Sequence, residues 1–71
     1  MKQYTAIYER GSRNWSAYVP DLPGCVATGK TRKVVEKRIT EAVELHIESL
    51  RFHGEVVPKP TTEAGVLSLP A

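Results

Sequence analysis

The sequence predicts an α+β fold, a three-stranded antiparallel sheet with one helix packed across it in the order β-β-β-α. Apolar side chains recur at every second position in residues 2–10 and 15–19, as they do in half-buried strands. In residues 32–53 they recur at every third or fourth position, which is the spacing of an amphipathic helix. Glycine and proline interrupt the pattern between these segments, which indicates sharp turns.

A chain of 71 residues forms one small domain, and such a domain buries only about 60% of the surface that its unfolded chain exposes. It therefore gains stability from a partner subunit. The net charge of +2 is too small to indicate nucleic-acid binding by itself. A single cysteine excludes an internal disulfide, the first residues do not resemble a signal peptide, and no apolar run is long enough to span a membrane. We expect a cytoplasmic protein.

The first two strands are expected to pair as a hairpin. The first is predicted at residues 2–10, with a short polar turn at residues 11–14 behind it. One face carries Tyr4, Ala6 and Tyr8, and the other carries Thr5, Ile7 and Glu9. Because both faces carry apolar residues, the sequence does not decide which face is buried. The second strand begins at Trp15 and ends at Pro20, because proline has no N–H to donate to a ladder.

A rigid corner follows at residues 20–24. We expect Asp21 to hydrogen-bond its own backbone two residues further on, and we expect Pro23 and Gly24 to form a type II turn in which glycine takes the positive φ. The third strand then covers Cys25–Thr28 and stops at Gly29. This corner determines how the strands on either side of it meet.

Thr31 is the predicted N-cap of a helix over residues 32–53, and Gly54 is its predicted C′ residue. Many of the helical residues are β-branched and lose side-chain freedom in a helix, so the helix should depend on packing against the sheet. The face expected to lie on the sheet carries Val35, Ile39, Ala42, Val43, His46 and Leu50.

A second apolar stripe on the helix carries Val34, Leu45 and Phe52. It is either the edge of the same core or a contact between subunits, and together with the small core it leads us to expect a homodimer. Residues 1–57 make up the predicted domain, and residues 58–71 form an extended tail. Within this tail, residues 66–69 have the composition to add a short strand to a sheet edge of this chain or of a neighbour.

No arrangement of residues indicates catalysis. Cys25 would be a nucleophile only with His46 or His53 as its base, but a lone cysteine in an apolar strand is usually a small buried hydrophobe. The histidines and the cysteine lack the spacing of zinc ligands, and neither Gly24 nor Gly29 belongs to a phosphate-binding loop. We expect no metal and no cofactor, and we expect the protein not to be an enzyme.

The start of the helix is basic, with positive charge on Lys30, Arg32, Lys33, Lys37 and Arg38. Positive charge opposes the helix dipole at this end, at a cost of about 0.3–1 kcal/mol per exposed group. The patch either contacts RNA phosphates or is a solvated face balanced by Glu36 and Glu41.

The residues around the corner resemble a known family. The pattern consists of Trp15, Pro20, Asp21, Leu22, Pro23, Gly24, Cys25, Thr28, Gly29 and Thr31, followed by the helical segment 41–45. With this spacing, residues 4–60 resemble the HicB family of antitoxins. The resemblance implies a truncated ribonuclease H-like fold and a role in binding and neutralising a HicA-type toxin, a small protein that cleaves mRNA.

The sequence departs from this family in two ways. Related antitoxins usually carry acidic residues after the position of Thr31, where this chain has Arg32 and Lys33. Many also continue into a DNA-binding segment, for which 71 residues leave no room, so we expect no direct binding to operator DNA. True ribonucleases of this fold hold metal ions with clustered carboxylates, whereas the strands here offer only Glu9 and Asp21, which favours binding over cleavage.

Three functions remain open from the sequence. The first is a noncatalytic antitoxin with a HicA-type toxin as its partner. The alternative is a solitary relative that binds RNA through the basic start of the helix. The third is a small hydrolase that uses Cys25.

Overall fold

The structure, a computed structural model, describes residues 2–70. Four elements follow one another: β1 at Ile7–Arg10, β2 at Trp15–Tyr18, β3 at Val26–Gly29 and α1 at Arg32–Phe52. The strands form one antiparallel sheet in the order β1-β2-β3, and α1 packs on β2 and β3. The predicted α+β architecture is confirmed.

β1 is shorter than the sequence predicts, because residues 2–6 belong to no strand. Ile7 lies opposite Tyr18, so continuation of the same register would place Thr5 opposite Pro20. Proline has no N–H to donate and the chain turns away there, which leaves residues 2–6 without a ladder partner. The face of this first segment that packs against the core carries Tyr4, Ala6 and Tyr8.

Two consecutive turns form the corner between β2 and β3. The carbonyl of Val19 accepts the N–H of Leu22 at 3.0 Å, and the carbonyl of Leu22 accepts the N–H of Cys25 at 3.1 Å. The N–H of Val19 then donates to the carbonyl of Cys25 at 3.2 Å. Cys25 therefore closes the corner instead of starting β3, which begins one residue later than predicted. Gly24 has a φ of +84°, the positive value that the predicted type II turn requires.

The corner also supplies the centre of the core. The Leu22 side chain, between the two turns, is fully buried, as is Val35 on the helix. Gly29 allows β3 to approach α1, since a Cβ there would lie 2.9 Å from Val34 Cγ1 and 3.0 Å from the backbone nitrogen of Val35. The buried core consists of Ala17, Val19, Leu22, Cys25, Val35 and Ile39.

Both predicted ends of α1 are confirmed to within one residue. The Thr31 hydroxyl caps the first turn by accepting the N–H of Val34 at 3.1 Å. The helix ends at Phe52, and Glu55 then donates its N–H to the carbonyl of Leu50 at 2.8 Å. Ile47, which was not among the residues predicted to face the sheet, also packs partly buried against the core.

The additional strand considered for the tail is absent from residues 55–70.

Gly24→Val is expected to lower the free energy of unfolding by about 1–3 kcal/mol, because a β-branched residue is strained at positive φ. In a domain of this size, each kcal/mol lowers the melting temperature by roughly 4–8 °C. Gly65→Val is the control, since a Cβ at Gly65 meets no heavy atom within 4 Å. Equal melting temperatures for the two variants in a thermal scan would contradict the described corner.

Candidate functional site

The Asp21 carboxylate binds the tail of the chain. Its Oδ2 accepts the backbone N–H groups of Thr61 and Thr62 at 3.0 and 2.9 Å. Its Oδ1 accepts the hydroxyls of the same two threonines at 3.1 and 2.8 Å. The expected bond of Asp21 to its own backbone is wrong, because the residue two places further on is Pro23, which has no N–H.

Two further hydrogen bonds hold the same part of the tail. The Tyr4 hydroxyl donates to the carbonyl of Pro58 at 2.6 Å, and the Thr5 hydroxyl donates to the carbonyl of Thr62 at 2.7 Å. We call residues 58–62 the strap, because they connect the segment before β1 with the corner. Beyond the strap, the apolar side chains of Val66, Leu67 and Leu69 are exposed.

The strap changes the acid-base behaviour of Asp21. The backbone N–H of Thr62 contributes most to lowering the pKa of the Asp21 carboxyl below its ordinary value of 3.8, followed by the Thr62 hydroxyl. Desolvation opposes this change in the pKa, and the two hydrogen bonds from Thr61 add to it. The ionised carboxylate is therefore the form that holds the strap.

Most residues of the sequence pattern around the corner have a structural role. Leu22 and Cys25 are buried, Trp15 packs partly buried against the core, and Thr31 caps the helix. Gly24 and Gly29 meet the backbone requirements described above, and Asp21 holds the strap. The remaining members of the pattern, Pro20, Pro23 and Thr28, are exposed. The pattern thus specifies the fold more than it specifies a binding surface.

Cys25 does not have the surroundings of a nucleophile. Its side chain is buried, and this burial raises the pKa of the thiol, so the reactive thiolate is disfavoured. Within residues 2–70, no hydrogen bond joins the thiol to a histidine; the Nδ1 of His53 lies 2.8 Å from the Ser49 carbonyl instead. The same residues contain no group of three or more His, Cys, Asp or Glu side chains that could hold a metal ion.

The basic residues at the start of α1 divide into two groups. Arg32 forms an ion pair with Glu36 at 2.6 Å, and its guanidinium carbon lies 3.6 Å from the centre of the Tyr8 ring. Arg38 donates to the carbonyl of Thr28 at 2.9 Å and so occupies a backbone acceptor of the edge strand β3. The exposed lysines, which make no side-chain hydrogen bond to any residue of 2–70, are Lys30, Lys33 and Lys37.

Two exposed apolar rows lie on different elements of the fold. The first is the predicted helix stripe, in which the exposed fraction is 38% for Val34, 67% for Leu45 and 84% for Phe52. The second, which we call the open-face row, crosses the sheet on the side away from α1. Its members are register partners and consist of Ile7, Tyr18 and Val26.

Sequence reasoning did not identify the open-face row. Alternation along β2 puts Tyr18 on the face opposite the buried Ala17, but only the register places it directly opposite Val26. Tyr18 is 40% exposed and Val26 is 66% exposed, so the row is accessible. Aligning the three strands by their alternating positions would have placed Ile7, Tyr18 and Val26 side by side on the outward face.

These features define a small α+β domain whose motif builds the fold and whose exposed apolar rows are suited to protein partners. The chain belongs to the HicB-like antitoxin family of bacterial toxin-antitoxin systems, whose sequence profile matches residues 4–70. The resemblance seen in the sequence is thereby confirmed.

Similar proteins support this assignment. A UPF0150 protein of Thermoplasma acidophilum is 39% identical over 62 residues, which are 86% of this chain and 90% of the relative. A UPF0150 protein of Synechocystis is 40% identical over 57 residues, 79% of this chain and 72% of that one. Among solved structures, a chain of a HicA3 and HicB3 toxin-antitoxin complex matches with a TM-score of 0.70 and 30% identity, covering 84% of this chain and 70% of the other.

Within residues 2–70, α1 is too polar to cross a membrane, and these residues form no other helix.

Asp21→Asn is expected to release the strap, because the amide lacks the negative charge and one of the two acceptor oxygens. Backbone amide signals of Thr61 and Thr62 should shift towards unstructured values in NMR spectra. Glu63→Gln, which removes a charge from the neighbouring tail, is the control and should leave these signals in place. Unchanged signals in Asp21→Asn would show that the carboxylate does not hold the strap.

Acid should have the same effect as the substitution. Since the pKa of Asp21 is lower in the folded state, its contribution to stability is complete above the ordinary value of 3.8 and is lost as the pH falls through the lowered value. The Thr61 and Thr62 signals should therefore move together below that pH in the natural protein.

Proposed function

We propose that this chain is a noncatalytic antitoxin that binds a HicA-type, mRNA-cleaving toxin in the cytoplasm and neutralises it by covering its active surface. The observation that carries the proposal is the agreement in fold with a chain of the HicA3 and HicB3 complex over 84% of this chain. Neutralisation by covering requires no chemistry from the antitoxin. A buried thiol and motif residues that serve the fold are consistent with that role.

The open-face row is the proposed toxin contact. An aromatic ring beside β-branched side chains provides the apolar centre that protein interfaces commonly have. Polar side chains adjoin it on the same face, where Glu9, Ser16 and Thr28 are paired across the three strands. They supply the polar rim that surrounds such a centre.

The basic start of α1 is not the proposed toxin contact. Arg32 and Lys33 stand where the family resemblance leads us to expect acidic residues, and Arg32 is already paired with Glu36. A toxin surface rich in positive charge would be repelled by Lys33. The open-face row and the polar side chains beside it include no basic residue.

A second copy of the chain is the proposed partner of the helix stripe. Val34, Leu45 and Phe52 lie along one side of α1, and a two-fold axis beside the helix would let each stripe bury its counterpart. A stripe on the helix and a row on the sheet occupy different faces, so a dimer leaves both open-face rows accessible to toxin.

Tyr18→Thr with Val26→Thr is expected to weaken toxin binding at least tenfold, about 1.4 kcal/mol, because it removes apolar contact while keeping residues that favour strands. The measurement is co-expression with a HicA-type toxin, followed by pull-down, titration and a growth assay. Arg32→Glu with Lys33→Glu is the matched surface control and should leave neutralisation intact. Failure of the natural protein to bind any HicA-type toxin would overturn the proposed function, whereas loss of binding only in the control would move the contact to the helix start.

The isolated natural protein should sediment as a species larger than the single-chain mass of 7.9 kDa at micromolar concentration. Leu45→Glu should shift it to the monomer, because it places a charge in the middle of the stripe. Val56→Glu, at a similarly exposed position outside the stripe, should not. A natural protein that sediments only as a monomer would contradict the proposed assembly.

A further inference from the structure

The charge of the molecule is strongly polarised along its length. The hairpin end, made of residues 9–13 and 30–38, carries seven of the ten basic side chains but only two of the eight acidic ones. This end, which we call the basic end, has a formal charge of +5, and the remainder of the chain has a charge of −3. The small net charge conceals this separation. The basic members of this end are Arg10, Arg13, Lys30, Arg32, Lys33, Lys37 and Arg38.

The fold brings the two parts of the basic end together. β1 and β2 meet at the turn that carries Arg13, and β3 ends beside the start of β2, with Trp15 opposite Gly29. A cleft of about 140 Å³ lies between the hairpin turn and Lys30. It is lined by Arg10, Gly11, Ser12, Arg13, Asn14, Trp15 and Lys30.

Five of the basic side chains are available to an external ligand. Arg32 is paired with Glu36 and Arg38 is bonded to the carbonyl of Thr28, so these two serve the fold. The others are exposed and have no ion pair or side-chain hydrogen bond to a residue of 2–70. They are Arg10, Arg13, Lys30, Lys33 and Lys37.

No acidic side chain in the first turn offsets the dipole of α1, whose positive end lies at the basic end of the molecule. The first turn of α1 contains no acidic residue, and Arg32 and Lys33 add positive charge to the positive end of the helix. An anion bound there would interact favourably with the side chains and with the dipole at once.

We propose that the basic end binds single-stranded nucleic acid through its phosphates. This function is separate from toxin neutralisation and does not require a toxin. Arg10, Arg13 and Lys30 line the cleft, and Lys33 and Lys37 follow on α1. Cations spread in this way suit a flexible strand that can bend along them.

An acidic protein is a less suitable ligand for this end. Protein interfaces usually surround an apolar centre, whereas the cleft is lined almost entirely by charged, polar and glycine residues. The exposed apolar rows of the molecule lie on the outer side of the sheet and along α1 instead.

The test is fluorescence anisotropy with the isolated full chain and labelled strands of about twelve nucleotides, poly(U) and poly(dT), with a duplex of equal length in a third arm. For four phosphate contacts on a single strand, the slope of log affinity against log salt is about −2.8, so binding should fall roughly 50-fold between 50 and 200 mM salt. Stronger binding of poly(U) than of poly(dT) would identify RNA as the ligand, and equal binding would identify single strands of either kind. Absence of binding at 50 mM salt, or preference for the duplex, would overturn the proposal.

Two double variants with equal change in net charge separate a site from a general charge effect. Arg13→Glu with Lys30→Glu should lower affinity at least tenfold, since both side chains line the cleft. Lys2→Glu with Lys59→Glu, at exposed positions outside the basic end, should lower it less than threefold. Equal losses in the two variants would contradict a localised site.

Folding and partner class need their own controls. Arg13→Lys with Lys30→Arg should retain binding, and melting temperatures of all variants show whether each is folded. Competition by polyglutamate as strong as that by unlabelled poly(U) would mean that the basic end binds any polyanion, including an acidic protein, and would overturn the assignment to nucleic acid.

Discussion

The hydrogen-bonded corner between Val19 and Cys25 is the constraint on which the rest of the structure depends. Its three backbone hydrogen bonds turn the chain from β2 into β3 and place the Leu22 side chain at the centre of the core. The same corner presents the Asp21 carboxylate to the strap. Seven consecutive residues thus contribute to the β2–β3 pairing, to the core under α1 and to the attachment of the tail.

The residues that determine the fold are largely different from those that form the exposed surfaces. Residues that identify the family are mostly buried, capping or required by backbone geometry, so they are constrained by the fold alone. The proposed partner surfaces consist of other, exposed residues, such as Tyr18 on the sheet and Leu45 on the helix. The fold therefore places few limits on the charge of exposed positions such as Lys33.

Patterns among neighbouring residues predicted most of the fold. The features that the sequence did not predict depend on contacts between residues far apart in the chain. Alternation and capping residues were sufficient for β2, the corner and both ends of α1, because these depend on neighbouring residues. The start of β1 depends on Pro20, which the register would place across the sheet from Thr5. The hydrogen bonds of Asp21 to the strap join residues 40 and 41 positions apart. For the candidate site, the charge pattern located the basic start of α1, but only the structure shows that Arg32 and Arg38 are engaged and that the hairpin turn adds Arg10 and Arg13.

Amide hydrogen exchange of the isolated natural protein tests the central role of the corner most directly. If the corner and the core form one cooperative unit, the N–H groups of Val19, Leu22 and Cys25 exchange only by global unfolding, as slowly as the slowest amides of α1. The amides of residues 64–69, beyond the strap, should exchange rapidly. Exchange at the corner that is faster than in the core of α1 by a factor of 100 or more, about 2.7 kcal/mol, would show that the corner opens on its own and would contradict the account.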